Sequence, residues 1–278
     1  MPDPKTDTRP NARANRKPRL VLMGEFSAGK STLTNLLLGG TSLPVQVTAT
    51  RLPPVWIAWG DGDALREDLD GTVSPIPGGD LEGVPLDQTR VIRLFMHEDI
   101  LQICDLIDMP GISDPNMASE VWERVIGEAD HVIWCTHATQ AWRQSEAAVW
   151  ETVPEDLRRR SLLLLTRFDK IVSPSDRDRV LARVRRETRG QFAGIFPVSL
   201  TEATRAGADH DLWEQSGAEP FVRRLIDLLT DPDPASDDPP AQEAPVAAPL
   251  TLEPAAAGRI QPRRVHQARP HRSPVGVT

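Results

Sequence analysis

The residues with the most specific chemistry form a run that begins at Gly24 and reads G-E-F-S-A-G-K-S, the spacing of a phosphate-binding loop. Glycines let the backbone approach an anion closely, so that consecutive N–H groups can point at phosphate oxygens. Lys30 supplies a compact charge for the β and γ phosphates, and the Ser31 hydroxyl suits Mg²⁺, which prefers oxygen ligands. The run predicts a nucleoside triphosphate as ligand, with a chance glycine-rich turn as the alternative. The nucleotide-binding residues predicted here are Gly24, Glu25, Phe26, Ser27, Ala28, Gly29, Lys30, Ser31 and Thr32.

A second candidate motif, Asp108-Met109-Pro110-Gly111, follows an apolar run that ends at residue 107. A carboxylate at a strand end can hold Mg²⁺ through water, and a nearby glycine can turn its N–H toward the γ-phosphate. We therefore predict Asp108 as a metal-binding residue beside Ser31, and Gly111 as a residue that senses hydrolysis. The alternative is an ordinary turn, and the position after a phosphate loop favours the functional interpretation.

A third motif, Thr166-Arg167-Phe168-Asp169, follows four consecutive leucines at 162–165. Guanine presents two adjacent donors, N1–H and N2–H₂, which one carboxylate can accept together, whereas adenine lacks this pattern. Asp169 is the predicted guanine reader, and Arg167 would lay its stem against the base. The alternative is a turn or helix-capping aspartate. Ser199, after the next strand, is a further candidate at the base edge, with a plain strand exit as its alternative.

Two threonines, Thr48 and Thr50, lie between the phosphate loop and Asp108. A threonine on a mobile segment often completes a Mg²⁺ shell when the γ-phosphate is present, and we favour Thr50 over Thr48 for this metal-binding role. The predicted catalytic residues are thus Lys30, Thr50 and Gly111. Arg51 could stabilise charge during the reaction, although a solvated arginine is the favoured interpretation.

These motifs need a scaffold that brings them together, and the hydrophobic pattern predicts one. Strands are expected at 19–23, 54–59, 90–96, 102–107, 131–136, 161–166 and 194–198, and helices at 30–39, 116–128, 142–152, 175–188 and 217–230. Continuous apolar runs are typical of strands covered on both faces, as in parallel sheets. The alternation therefore predicts an α/β fold, with a mostly parallel sheet, helices on both faces, and ligands at the carboxyl ends of the strands.

Composition divides the chain into three parts. Polar, proline-containing residues 1–18 predict a disordered N-terminal arm, residues 19–230 a folded domain, and residues 231–278 a disordered Pro/Ala-rich tail with a basic end. Within the domain, the glycine- and proline-rich stretch 60–89 predicts a mobile insertion or a loose hairpin. The basic cluster near the N-terminus could contact anionic lipid or nucleic acid, and the basic C-terminal end could contact a partner or anionic lipid, although solvated tails are favoured.

Charge and cysteine content narrow the functional classes. The chain has 278 residues and a formal net charge of −8, which argues against a specific nucleic-acid partner. Cys104 and Cys135 lie in apolar runs, which predicts buried free thiols rather than a disulfide framework. An apolar signal region and a membrane-length apolar run are both absent from the sequence, so a soluble cytoplasmic protein is expected.

Together, the motifs resemble those of the GTPase domain of bacterial dynamin-like proteins. The opening segment of the likeness runs from Gly24 to Gly39. The likeness continues through Leu43-Pro44 and Thr50, and it covers about residues 19–230. It implies a P-loop GTPase fold and a Mg²⁺-dependent GTPase, and it implies that Ser27 would help to hold a monovalent cation. Because no residue is an obvious general base, catalysis could need a homodimer across the nucleotide face. The protein is expected to be cytoplasmic, with a peripheral membrane location as the alternative.

Two departures from the family shape the functional expectation. Phe26 stands where eukaryotic members have glutamine, so a backbone group or a partner would have to orient the attacking water. A helical stalk is not expected in the stretch after residue 230, so membrane fission by this chain alone is not expected. The leading hypothesis is hydrolysis of GTP to GDP and phosphate. The alternative is a GTP-gated binding module with negligible turnover that recruits a partner.

Overall fold

The computed structural model describes residues 16–40, 52–81, 83–112 and 119–231. The strands in these residues are β1 (Arg19–Gly24), β2 (Val55–Trp59), β3 (Leu65–Asp68), β4 (Val73–Pro75), β5 (Thr89–Met96), β6 (Asp105–Asp108), β7 (His131–His137), β8 (Leu162–Thr166) and β9 (Gly194–Pro197). The helices are α1 (Lys30–Leu37), α2 (Ile100–Ile103), α3 (Ser119–Glu128), α4 (Gln144–Thr152), α5 (Glu155–Arg159), α6 (Pro174–Glu187), α7 (Leu200–Ala206), α8 (His210–Gln215) and α9 (Ala218–Thr230).

All nine strands of the described residues belong to one sheet, in the order β4-β3-β5-β2-β6-β1-β7-β8-β9. The five strands β6-β1-β7-β8-β9 are parallel to one another. β2 is antiparallel to β6 but parallel to β5, and β3 pairs antiparallel with both β4 and β5. The sheet is therefore mostly parallel, as predicted, with an antiparallel section on one side.

Alternation along the central strands divides the core between the two faces of the sheet. Leu162 and Leu164 of β8 pack on the face covered by α1, α7 and α9. Leu163 and Leu165 pack on the opposite face, which α3, α4 and α6 cover. Because every residue of β8 is buried, this strand needs an apolar side chain on both faces. The prediction of an α/β fold with helices on both faces is confirmed.

Two local predictions need correction. The strand expected at 102–107 begins only at Asp105, because Ile100–Ile103 form a short helix. The stretch 60–89 does contain a hairpin, formed by β3 and β4, but the hairpin is not loose, because β3 hydrogen-bonds to β5 and so extends the main sheet. Short helices α2, α5, α7 and α8 were also not predicted, since fewer than eight residues carry too little periodicity.

The described residues of the predicted N-terminal arm contact the domain. Arg16 donates to both carboxylate oxygens of Asp130, at 2.6 and 3.2 Å, and Lys17 Nζ donates to the Leu101 carbonyl oxygen at 2.8 Å. Arg16 and Lys17 therefore bind groups of the folded domain itself. The rest of the predicted arm, and the predicted tail after Asp231, lie outside the described residues.

Two further features bear on the sequence-based expectations. Cys104 and Cys135 are buried free thiols, as predicted, and burial raises the pKa of each to about 12. In the part of the chain that the structure describes, every helix is too short or too polar to cross a membrane.

Candidate functional site

The phosphate loop connects the end of β1 to the start of α1. Gly24 has φ 142°, and a Cβ at this position would lie 2.2 Å from the carbonyl oxygen of Cys135 in β7, so a side chain has no room. Gly29 precedes α1 with φ 95°, which glycine adopts without strain. Within the described residues, this helix N-terminus receives no side-chain cap. Its N–H groups and its dipole therefore favour an anion at the loop.

Lys30 is buried, and its ammonium turns back onto the loop. Its Nζ donates to the carbonyl oxygens of Gly24 at 2.9 Å and Glu25 at 2.8 Å. Burial lowers the pKa of Lys30, and the nearby Cys135, Asp108 and Glu25 oppose that shift. The positive charge is therefore held at the centre of the loop by backbone dipoles, close to the position that a bound phosphate would take.

Asp108 lies at the carboxyl end of β6 and is the most perturbed carboxylate of the site. Thr34 Oγ1 of α1 donates to its Oδ2 at 3.1 Å, whereas its Oδ1 is buried with no hydrogen-bond partner among the described residues. Burial raises the pKa of Asp108 to about 6, although Lys30 and Thr34 act in the opposite direction. An ionisable oxygen buried without a partner next to a phosphate loop is suited to a cation.

These groups line one cleft of about 250 Å³. Its walls are residues 26–32 of the loop, Leu52, Pro53 and Val55 at the start of β2, the motif 108–111, and Arg167. Gly111 approaches the loop so closely that a Cβ there would lie 2.8 Å from the backbone nitrogen of Phe26. The Ile112 N–H donates to the Gly24 carbonyl oxygen at 3.2 Å, which holds this segment against the loop.

The predicted base-reading motif lies beside the same loop. Thr166 is fully buried, and its hydroxyl donates to the carbonyl oxygen of Ala28 at 2.8 Å. Arg167, in the left-handed region with φ 53°, donates to the carbonyl oxygen of Ser27 at 3.3 Å. Thr166 therefore holds the loop backbone through its side chain, and Arg167 lies at the edge of the cleft.

Asp169 and Ser199 lie together beyond Arg167, outside the residues that line the cleft. Asp169 accepts hydrogen bonds from Lys170, at 3.0 Å, and from Ser199. Burial opposes ionisation of Asp169, but the hydrogen bonds from Lys170 and Ser199, the charge of Lys170 and a backbone hydrogen bond together lower the pKa of the carboxylate below its usual value. Asp169 is thus an ionised acceptor at neutral pH, next to a serine that the sequence also singled out.

The remaining predicted residues have different outcomes. Ser31 and Thr32, in the first turn of α1, line the cleft, as do Ser27 and Phe26. The Phe26 side chain is 60% exposed, which leaves an aromatic surface at the mouth of the cleft. Thr48, Thr50 and Arg51 lie outside the described residues, so their roles stay predictions.

Several residues of the site were missed by the sequence analysis. Arg143, just before α4, contacts the Glu25 carboxylate at 2.7 Å, and His137, at the end of β7, contacts Arg167 at 3.1 Å. Burial, Arg167 and Arg143 together lower the pKa of His137. Arg143 lies 118 positions from Glu25, and His137 lies 30 positions from Arg167, so no local spacing pattern links either pair. Only the position of His137 at a strand end could have suggested it.

Comparison with known proteins agrees with this geometry. No protein-family model matches the chain. Dynamin-like protein 2 of Campylobacter jejuni is 24% identical over 217 residues, which cover 76% of this chain and 34% of that protein. The chain is related to bacterial dynamin-like proteins. The resemblance inferred from the motifs is thereby confirmed.

Two solved structures share the fold of this dynamin-related chain. Both come from work on an oligomerised bacterial dynamin pair that senses and tethers membranes. One has a TM-score of 0.61 at 17% identity and covers 77% of this chain and 38% of its own length. The other has a TM-score of 0.56 at 22% identity, with 79% and 35% covered. The predicted P-loop GTPase fold is confirmed, and the chain spans about a third of the length of these relatives.

Proposed function

We propose that the protein binds GTP with Mg²⁺ and hydrolyses it to GDP and phosphate. The observation that carries the proposal is the hydrogen bond from Thr166 to Ala28, which joins the base-reading motif to the phosphate loop. This contact brings the motif that would hold the phosphates and the motif that would read the base to one edge of the sheet, where ligands of parallel α/β folds bind. Relatedness to dynamin-like proteins supports the same activity.

The phosphates would be held by the loop itself. The N–H groups of residues 24–32 and the N-terminus of α1 favour negative charge. Lys30 already carries its charge to this point, and in exchanging carbonyl oxygens for phosphate oxygens it would gain a charged acceptor in place of neutral ones. Gly111, which lies close to the backbone of Phe26, would present its N–H to a γ-phosphate.

The chemistry of the site fits Mg²⁺. Asp108 offers a buried carboxylate oxygen without a partner, and Ser31 offers a hydroxyl in the same cleft. Among the described residues, no group of three or more His, Cys, Asp or Glu side chains could hold a metal alone, and Mg²⁺ commonly binds one or two protein oxygens together with substrate phosphates. The ion would neutralise charge that develops on the phosphates during the reaction.

In the reaction, water attacks the γ-phosphorus, the bond from that phosphorus to the β–γ bridging oxygen breaks, and GDP leaves. Loose transition states of this kind need positioning and charge stabilisation more than covalent catalysis. Lys30 would stabilise the leaving oxygens, while Gly111 and Thr50 would orient the γ-phosphate and the water. Because the Phe26 side chain has no polar group, it cannot orient the water itself.

The exposed, nonpolar side chain of Phe26 favours the second candidate, a GTP-gated module with negligible turnover. An exposed phenylalanine at the mouth of the cleft offers an apolar contact to a partner, and it contributes nothing to the attack of water. Turnover separates the two candidates. A rate of GTP hydrolysis per protein molecule that rises with protein concentration indicates an enzyme completed by a homodimer across the nucleotide face. Tight GTP binding with partner capture and no phosphate release indicates the module.

Nucleotide preference tests the proposal. Calorimetry with GTP and ATP is performed on wild type, Lys30→Ala and Asp169→Ala. Asp156→Ala serves as a control, because this exposed carboxylate pairs with Arg160 and does not line the cleft. Wild type and the control should prefer GTP, Asp169→Ala should lose most of that preference, and Lys30→Ala should bind both nucleotides poorly. Preference for ATP in wild type, or equal phosphate release by wild type and Lys30→Ala, would contradict the proposal.

Membrane and oligomer contacts are proposed more broadly. The related bacterial dynamins are described as an oligomerised pair that tethers membranes. For this chain we propose a peripheral contact with a membrane or protein through the termini, and a monovalent cation near Ser27. Co-sedimentation with anionic vesicles and light scattering with and without GTP measure the first, and replacement of K⁺ by Na⁺ during turnover measures the second.

A further inference from the structure

Glu25 is the one acidic side chain in the phosphate loop, residues 24–32. Its backbone carbonyl oxygen accepts a hydrogen bond from Lys30 at 2.8 Å, so this residue helps to position the Lys30 ammonium. Its carboxylate, however, is a negative charge in a loop that, in the proposed function, receives a triphosphate. Unless that charge is neutralised or turned away, it opposes binding, because like charges in a partly buried site repel.

Both oxygens of this carboxylate are occupied by groups from α4 and the residue before it. Arg143 Nη1 donates to Oε2 at 2.7 Å, and Ser145 Oγ donates to Oε1 at 2.7 Å. Both distances are those of charge-assisted hydrogen bonds. Ser145 lies in the first turn of α4, so the helix dipole also favours the negative charge. The carboxylate is therefore neutralised on the side of α4.

A buried network fixes the position of Arg143. Its backbone N–H donates to Glu146 Oε2 at 2.9 Å, and the buried Glu146 also accepts hydrogen bonds from Thr136 Oγ1 at 2.9 Å and Trp134 Nε1 at 3.1 Å. The preceding Trp142 has φ 58°, a conformation that a bulky residue adopts only when its surroundings require it. Arg143 is thus presented to the loop by an arrangement that is maintained at a cost.

We propose that Arg143 and Ser145 are positioning residues that neutralise Glu25 and orient it toward α4, so that the phosphate loop can accept a triphosphate. The inference rests on the proposed function. It makes the pair a determinant of nucleotide affinity, with a larger effect on GTP than on GDP because GTP carries more negative charge. Neither residue need touch the reacting atoms, so neither is a catalytic residue.

The test uses the full chain and a rescue. GTP and GDP affinities are measured by calorimetry for wild type, Arg143→Ala, Glu25→Gln and the double variant. Arg223→Ala serves as a control, because the exposed guanidinium of Arg223 pairs with Glu219 within α9. Thermal unfolding confirms that each variant is folded. We expect Arg143→Ala to weaken GTP binding by about tenfold and GDP binding by less. The double variant should regain affinity, because glutamine leaves no charge to neutralise.

The outcomes separate this inference from the proposed function. If wild type and Arg223→Ala bind GTP and Arg143→Ala binds it equally well, the inference is wrong and the proposed function stands. Equal losses for GTP and GDP without recovery in the double variant would mean that Arg143 serves only the fold, which also overturns it. If wild type itself ignores GTP, the proposed function fails, and the inference fails with it.

Discussion

Replacement of Asp108 by asparagine should make the nucleotide-free protein more stable while abolishing Mg²⁺-dependent nucleotide binding. Asparagine keeps the shape of the side chain and can still accept the hydrogen bond from Thr34. It removes the negative charge whose Oδ1 is buried without a partner among the described residues. A site that destabilises its own empty form in this way is common where binding depends on a buried charge.

The magnitude follows from the pKa of Asp108, which burial raises from 3.8 to about 6. Each pKa unit corresponds to about 1.4 kcal/mol, so the ionised carboxylate costs the folded state about 3 kcal/mol at neutral pH. Because the folded pKa is the higher one, the folded state binds more protons between pH 3.8 and about 6. The contribution of this group to stability is therefore present below that window and lost as the pH rises through it.

Urea unfolding without nucleotide or Mg²⁺ provides the assay. At pH 7.5, Asp108→Asn should unfold with a free energy about 3 kcal/mol higher than wild type, and at pH 4.5 the difference should shrink to about 1 kcal/mol. Calorimetry at pH 7.5 should show that the variant binds GTP no better with Mg²⁺ than without it. A variant that is equally stable or less stable than wild type at pH 7.5 would refute the reasoning.

Two further predictions concern the support of the phosphate loop. Gly24→Ala should destabilise the protein by about 3 kcal/mol or more, because the new Cβ would lie 2.2 Å from the Cys135 carbonyl oxygen; differential scanning calorimetry measures the loss, and an unchanged midpoint would contradict it. Thr166→Val should cost about 1–2 kcal/mol in urea unfolding, because the Ala28 carbonyl oxygen loses its donor. The same variant should bind GTP more weakly than wild type, and full affinity would show that the loop does not depend on this hydrogen bond.

Much of the fold could be predicted because its signals are local. The four leucines of β8 are buried on both faces, and their continuous apolar character alone indicated a central strand. The antiparallel direction of β2 and the pairing of β3 with β5 could not be predicted in this way. Strand direction depends on which neighbours hydrogen-bond, and the glycine- and proline-rich segment between β2 and β5 carries no pattern that specifies a partner.

The sequence alone determined the chemistry that each motif can perform. The glycine spacing, Lys30 and Ser31 indicate a phosphate loop whatever fold surrounds them, because backbone freedom and side-chain charge are properties of the residues themselves. Only the tertiary structure decided that one oxygen of Asp108 would be buried without a partner among the described residues, and that Arg143 would neutralise Glu25. Burial and contacts between residues far apart along the chain arise when the sheet assembles, and they set the charge balance on which the site depends.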